Sequence, residues 1–186
     1  MVIICVCSWT ESDAQTEFNI KIGAETWSWK DEKAQSGRSS HPGQMIGFDV
    51  KVGESLFYFV PGFEYHRISV LNEENRFSFD FSEAHHMHYF TIPMLCSYSI
   101  VDSSSINLSA LADAEANFFY SLDDNDVGLE DDMYYGMTAA LSAGLRADFF
   151  SFLTAELRYH YGFLPTLKTR DDSKLRGWTF AAGVKF

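Results

Sequence analysis

Tyr135-Gly-Met-Thr-Ala-Ala-Leu-Ser-Ala-Gly-Leu-Arg-Ala-Asp148 alternates in character at nearly every step, Ala139-Ala140 excepted. Tyr135, Met137, Ala139, Leu141, Ala143, Leu145 and Ala147 share one parity, while Gly136, Thr138, Ser142, Gly144, Arg146 and Asp148 share the other. Alanine favours helices, but a helix would mix these two sets around its circumference. A strand places them on opposite faces, so the period predicts a strand despite the propensity.

The same reading extends outward in both directions. Downstream, Leu153, Ala155, Leu157, Tyr159 and Tyr161 oppose Thr154, Glu156, Arg158 and His160, and Trp178, Phe180, Ala182, Val184 and Phe186 oppose Thr179, Ala181, Gly183 and Lys185. Upstream, Phe18, Ile20, Ile22 and Ala24 oppose Asn19, Lys21, Gly23 and Glu25. Ile46 to Val52, Phe57 to about Val70, His88 to Ile100 and Ile106 to Glu115 complete the set, the His88–Ile100 run being apolar nearly throughout. Eight strands are predicted. The connections between them alternate strictly in length. About 30–44, 71–87, 122–132 and 162–174 are long, while 53–55, 102–105 and the turn near Phe150-Ser151 are short. In an up-and-down meander every long loop then falls at one end, and the short turns and both termini fall at the other. Short periplasmic turns and long outer loops mark an outer-membrane barrel.

Composition narrows the class. Apolar residues are 46% and charged residues 22%, too rich a mixture for disorder. The longest apolar run, Val2–Cys7, is far short of the ~20 residues a membrane helix needs. A formal charge of −12 with no basic stripe argues against nucleic-acid binding.

Period two alone does not say which face is outside. A soluble calycin-like barrel binding a small apolar ligand would put the apolar face inward, and a membrane barrel would put it outward. Three features favour the membrane. The polar face holds Gly23, Gly47, Gly62, Gly136, Gly144, Gly183, Ala140, Ser142 and Ala181, small residues that suit a crowded eight-strand lumen better than a solvated surface. Its charges are mixed: Lys21, Lys51, Arg146, Arg158 and Lys185 meet Glu25, Asp49, Glu64, Asp113, Glu115, Asp148 and Glu156, as buried pairing requires. The apolar face of the clean strands is free of charge and ends in aromatics such as Tyr159, Tyr161, Trp178 and Phe186. The expectation is an all-β, eight-stranded antiparallel up-and-down transmembrane barrel over 15–186.

Residues 1–14 read as the end of a truncated signal peptide, with Ser12-Asp-Ala14 as the cleavage site, although no basic residue precedes the apolar stretch. Cleavage there leaves Cys96 as the sole cysteine, and Cys96 is expected to be a small buried apolar residue.

Three segments resemble the PorT-like outer-membrane β-barrel family of Bacteroidetes: Tyr89-Phe-Thr-Ile-Pro-Met-Leu95, Leu157-Arg-Tyr-His-Tyr-Gly-Phe163 and Gly177-Trp-Thr-Phe-Ala-Ala-Gly-Val-Lys-Phe186. The C-terminal Phe resembles the signal read by barrel-assembly machinery. The resemblance implies a Gram-negative outer-membrane location, and either a structural or adhesive envelope role or attachment to a secretion apparatus. Pro93 conflicts with a closed ladder, and a bulge at Pro93 is expected to absorb it.

Chemical motifs are weak. His85, His86, His88 and His160 could act as bases of an acyltransferase or deacylase, but no spacing ties them to a serine. His85-His-Met-His88 could bind a transition metal, though histidines beside a loop are more often surface residues. The acidic stretch Asp123, Asp124, Asp126, Glu130, Asp131 and Asp132 breaks the calcium-loop pattern at Val127 and Tyr134 and reads as a solvated, self-repelling loop. The expectation is a non-enzymatic protein with no catalytic, cofactor or metal site. Its partners would be outer-membrane lipid and an envelope or secretion-system protein, with neither nucleic acid nor a small-molecule substrate. The long loops would be extracellular and the termini periplasmic.

Overall fold

The computed structural model describes residues 16–29, 42–53, 56–70, 85–103, 105–124, 130–169 and 173–186. The proposed signal segment 1–14 lies outside the described residues, as does Asp126. Eight strands are described: β1 (Glu17–Trp29), β2 (Pro42–Lys51), β3 (Phe57–Val70), β4 (His85–Asp102), β5 (Ile106–Leu122), β6 (Met137–Phe149), β7 (Leu153–Gly162) and β8 (Leu175–Lys185). Each pairs antiparallel with the next, and β8 returns to β1 to close a barrel. Closure leaves no unpaired edge, which a chain in lipid cannot tolerate. The termini meet at the short-turn end, where Phe18 and Phe186 exchange backbone hydrogen bonds of 3.2 and 2.8 Å. The strand ends that lead into the four long connections lie at the opposite end, as the alternation of loop lengths requires.

The barrel is inverted relative to a soluble protein. Ile22, Leu141, Trp178 and Phe180 face outward and are exposed, whereas Lys21, Glu64, Arg146 and Arg158 face inward and are buried. The calycin-like alternative, which needs the reverse, is thereby set aside. On the outer wall, aromatic rings run diagonally from the turn end toward the long-loop end. Phe18–Phe48, Phe48–Phe63, Phe63–Phe90 and Phe90–Tyr120 have centroids 5.7, 6.1, 5.4 and 5.4 Å apart, linking β1 through β5. Cross-strand aromatic pairs of this kind support sheet register.

Three expectations are corrected. Cys96 is not a buried core residue: it faces outward and is exposed, because the inward parity of β4 belongs to Thr91, Pro93, Leu95, Ser97 and Ser99. No bulge lies at Pro93. Pro61↔Met94 and Glu64↔Thr91 keep one register, and the two intervening rungs are missing. Pro61 and Pro93 both lack an N–H, so the ladder lapses without inserting a residue. The irregularities of β4 against β5 fall instead at His88/Tyr89 and Ser99/Val101. Gly136 precedes β6 and is exposed, so it does not contribute to lumen crowding.

Candidate functional site: the charged lumen and its long-loop mouth

The inward residues of the strands build a stacked polar core. Near the turn end, Lys185 Nζ lies 3.2 Å from Glu17 and 3.1 Å from Asp148. Lys51 Nζ adds to this ring at 3.5 Å from Glu17, beneath the face of Tyr58. One level deeper, Arg146 Nη2 lies 2.8 Å from Asp49 and 2.7 Å from Glu156, and its Nε donates to Glu156 at 3.0 Å. Lys21 Nζ sits among Glu64 at 2.7 Å, Asp49 at 3.1 Å and Glu156 at 3.4 Å. Arg158 reaches Glu64 at 2.6 Å, Glu156 at 2.5 Å, Asp113 at 3.4 Å and Glu115 at 3.6 Å. These pairs join β1, β2, β3, β5, β6 and β7 across the lumen. Ions in so dry a place persist because each has several opposite neighbours.

Room for the long side chains comes from glycine directly across the ladder. Gly144 pairs with Arg158 and Gly47 with Glu64. A Cβ at Gly144 would meet Arg158 Cγ at 3.0 Å, and one at Gly47 would meet Glu64 Cγ at 2.8 Å. At these two positions glycine also allows close approach of the facing backbone, since the same Cβ atoms would collide with the Leu157 carbonyl and lie 2.7 Å from the Phe63 carbonyl.

Above this level the lumen carries histidines. His160 Nδ1 is 2.7 Å from Glu115. His66 lies between two carboxylates, with Nδ1 2.6 Å from Glu25 and Nε2 3.2 Å from Glu64. The Trp27 ring sits between the two imidazoles, 5.1 Å from His160 and 6.4 Å from His66, and its indole N–H donates to Glu25. Glu17, Trp27 and His66 were absent from the sequence-derived lumen set. Parity would have found them, since Glu17 and Trp27 share the parity of Lys21 and Glu25, and His66 that of Glu64.

An apolar cap closes the long-loop end: Trp27, Ile68, Met87, Tyr89, Tyr134 and Leu167 are buried together. Tyr134 stacks on Phe119 with centroids 4.7 Å apart. Its hydroxyl is buried, and burial, with Asp131 nearby, pushes its pKa up to about 12.

The histidines singled out near β4 do not join the lumen site. His86 and His88 lie at the long-loop rim against Asp123, at 3.4 and 2.9 Å. A carboxylate only accepts, so His88 Nε2 donates to Asp123, while Nδ1 lies 2.5 Å from the Tyr65 hydroxyl. The side chain of His85 lies outside the described residues. The acidic stretch is also less free than its charge suggests. Asp131 Oδ1 accepts the Leu122 N–H at 3.0 Å, and Lys168 Nζ donates to the Asp132 carbonyl at 2.7 Å. Burial works against the charge on Asp123, but the His88 hydrogen bond and the charges of His88, His86 and Arg67 hold its pKa below the usual carboxylate value.

The network can hold the strands together and obstruct ion flow. Its charged groups are committed to one another across a closed barrel. No protein-family model matches the chain, and neither does any curated protein sequence. Several solved structures share the fold. Ail, the attachment invasion locus protein of Yersinia pestis, is 16% identical over 92% of this chain and 99% of its own, with a TM-score of 0.53. Neisserial surface protein A is 12% identical over 94% of this chain and 100% of its own, with a TM-score of 0.61. Ail has also been solved in complex with the heparin analogue sucrose octasulfate.

Proposed function

We propose that this protein is an integral outer-membrane barrel of a Gram-negative envelope, non-enzymatic, with its lumen plugged by ion pairs and its long loops outside the cell. The observation that carries this reading is the inverted amphipathicity. Exposed apolar residues cover the outer wall, while five cations and their carboxylate partners fill the interior. Residues 1–14 then serve as the end of a secretory signal. The termini lie in the periplasm, following the short turns.

Within that frame the role is structural or adhesive, or one of attachment to a secretion apparatus. The PorT-like motifs at Tyr89–Leu95, Leu157–Phe163 and Gly177–Phe186 support the secretion reading. The arrangement of the long-loop end supports contact with an outside surface. The net charge of −12 distinguishes such a contact from one with a sulfated polyanion like that bound to Ail. The test is topological. An epitope inserted at Asn125 should be reached by antibody on intact cells, and one inserted at Glu54 should not. Labelling of the Glu54 insertion alone would overturn the assignment, and so would a refolded protein that stays monodisperse without detergent.

A further inference from the structure

A groove of about 680 Å³ runs along the outer wall where β8, β1, β2 and β3 lie side by side. Two small residues create it. Ala24 stands across from Phe180, and Ala182 across from Ile22, so the wall dips between bulky neighbours. Ile46 continues the apolar lining. One rung of the sheet runs from Phe180 through Ala24 and Gln44 to Arg67, so the groove ends on a guanidinium.

We propose that this groove holds an acyl chain of a phosphate-bearing membrane lipid whose phosphate is bound by Arg67. The inference rests on the bilayer reading of the outer wall. An apolar trough facing lipid takes a hydrocarbon chain. Arg67 fixes which lipid: it lies three residues from the long-loop end of β3, the level at which headgroups begin. Among the described residues its nearest carboxylate, Asp123, is 3.6 Å from Nη2, beyond a direct hydrogen bond, and the Arg67 side chain is 39% exposed. A planar fork with open donors matches phosphate oxygens. A headgroup without phosphate would leave these donors unmatched.

The test uses the full chain refolded in detergent, with lipid retention read by native mass spectrometry. The probes are dioleoyl phosphatidylglycerol, dioleoylglycerol with the same chains but no phosphate, and inorganic phosphate. Phosphatidylglycerol should be retained about tenfold better than dioleoylglycerol, the difference expected for one charge-assisted contact. Arg67→Gln should abolish that preference, and Arg67→Lys should restore it in part. Ala24→Phe or Ala182→Phe should fill the trough and weaken retention of both lipids, while Leu141→Phe on the far wall should change neither. Each variant should keep the heat-dependent gel shift of a closed barrel. Equal retention of the two lipids, or a preference that survives Arg67→Gln, overturns the proposal. Displacement of phosphatidylglycerol by millimolar inorganic phosphate also overturns it, since that describes a free-anion site. A barrel that needs detergent but ignores the headgroup would defeat this inference alone. A barrel soluble without detergent would defeat the membrane reading beneath it.

Discussion

Arg158 on β7 and Glu64 on β3 meet at 2.6 Å across the lumen, 94 residues apart in sequence and both fully buried. Their contact spans the barrel from wall to wall, so it reports on closure as a whole. Arg158→Ala would strip Asp113 of its cation and weaken the pairing of Glu64, Glu156 and Glu115, which keep Lys21, Arg146 and His160 respectively, and should destabilise by ~3–5 kcal/mol. Adding Glu64→Gln should recover part of that loss, because it removes one carboxylate from a cluster left with an excess of negative charge. Urea unfolding in detergent, followed by tryptophan fluorescence, measures both. Strictly additive losses would show that the two groups do not act on one another.

The direction of the faces is tested at Leu141, which is 53% exposed on the outer wall. Leu141→Arg should cost ~2–4 kcal/mol near mid-bilayer. Leu141→Ala should cost less, because lipid fills the space. Cys96 gives an independent check, lying between Met94 and Tyr98 on the same outward parity. In a chain with Cys5 and Cys7 replaced by serine, an apolar maleimide dissolved in the bilayer should label it, and a charged, water-borne one should not. Equal labelling by both would place Cys96 in water.

Much of this was legible in the sequence because a strand's parity is strict. Every charged residue assigned to the polar face, from Lys21 to Lys185, lies in the lumen. The misreadings occur where parity is masked. On β4, inward Leu95 and Pro93 and outward Met94 and Cys96 are all apolar, so nothing in composition separates the faces. Leu95 turns inward because it packs with Val60 and Leu111, a small apolar patch within the polar lumen that no local pattern announces. The cross-barrel partners were equally hidden. Arg158 makes its shortest contacts to Glu156 on its own strand and to Glu64 on β3, a choice no local spacing indicates. Alternation gives a side chain's face, while the closed geometry chooses whom it meets.

The turn between β6 and β7 carries a local cost that can be removed. Phe150 and Ser151 have φ of 50° and 64°, and the Phe152 N–H closes the turn on the Phe149 carbonyl at 3.2 Å. Two successive positive φ values match the type I′ hairpin turn, which prefers Asn-Gly. Ser151→Gly should therefore raise stability by ~0.5–1 kcal/mol, seen as a higher urea midpoint with unchanged slope. A lower midpoint would mean that the serine side chain stabilises the turn.

Asp123 should respond to acid. Its folded-state pKa is depressed, chiefly by His88 against the opposing effect of burial, so its contribution is present above the ordinary carboxylate pKa. That contribution is lost as pH falls through the lowered folded value. The backbone bond from Asp123 N–H to the His86 carbonyl, 2.9 Å, should then exchange faster with solvent. Hydrogen exchange below pH 4 should show this at the β4–β5 rim, and Asp123→Asn should show rapid exchange at every pH. A rim whose protection is the same in both proteins would rule out the carboxylate as its anchor.

Conduction decides between a plugged barrel and a pore. Eight strands give a lumen that side chains can fill, whereas water-filled porins have 16 or more. Here the filling is specific. Arg146 bridges Asp49 and Glu156 at mid-lumen, Lys21 sits among three carboxylates, and Trp27 with Tyr89 and Tyr134 closes the long-loop end. A permeating ion would have to displace paired charges and then pass an apolar cap. Purified, refolded protein in planar bilayers should show no large, stable steps. Arg146→Ala combined with Arg158→Ala should leave an excess of carboxylates and, where the barrel still closes, admit small cation-selective currents. Porin-like steps from the wild-type protein would overturn the plug and point instead to passive transport. A silent wild type with a leaky double variant would show that the ion pairs themselves hold the lumen shut.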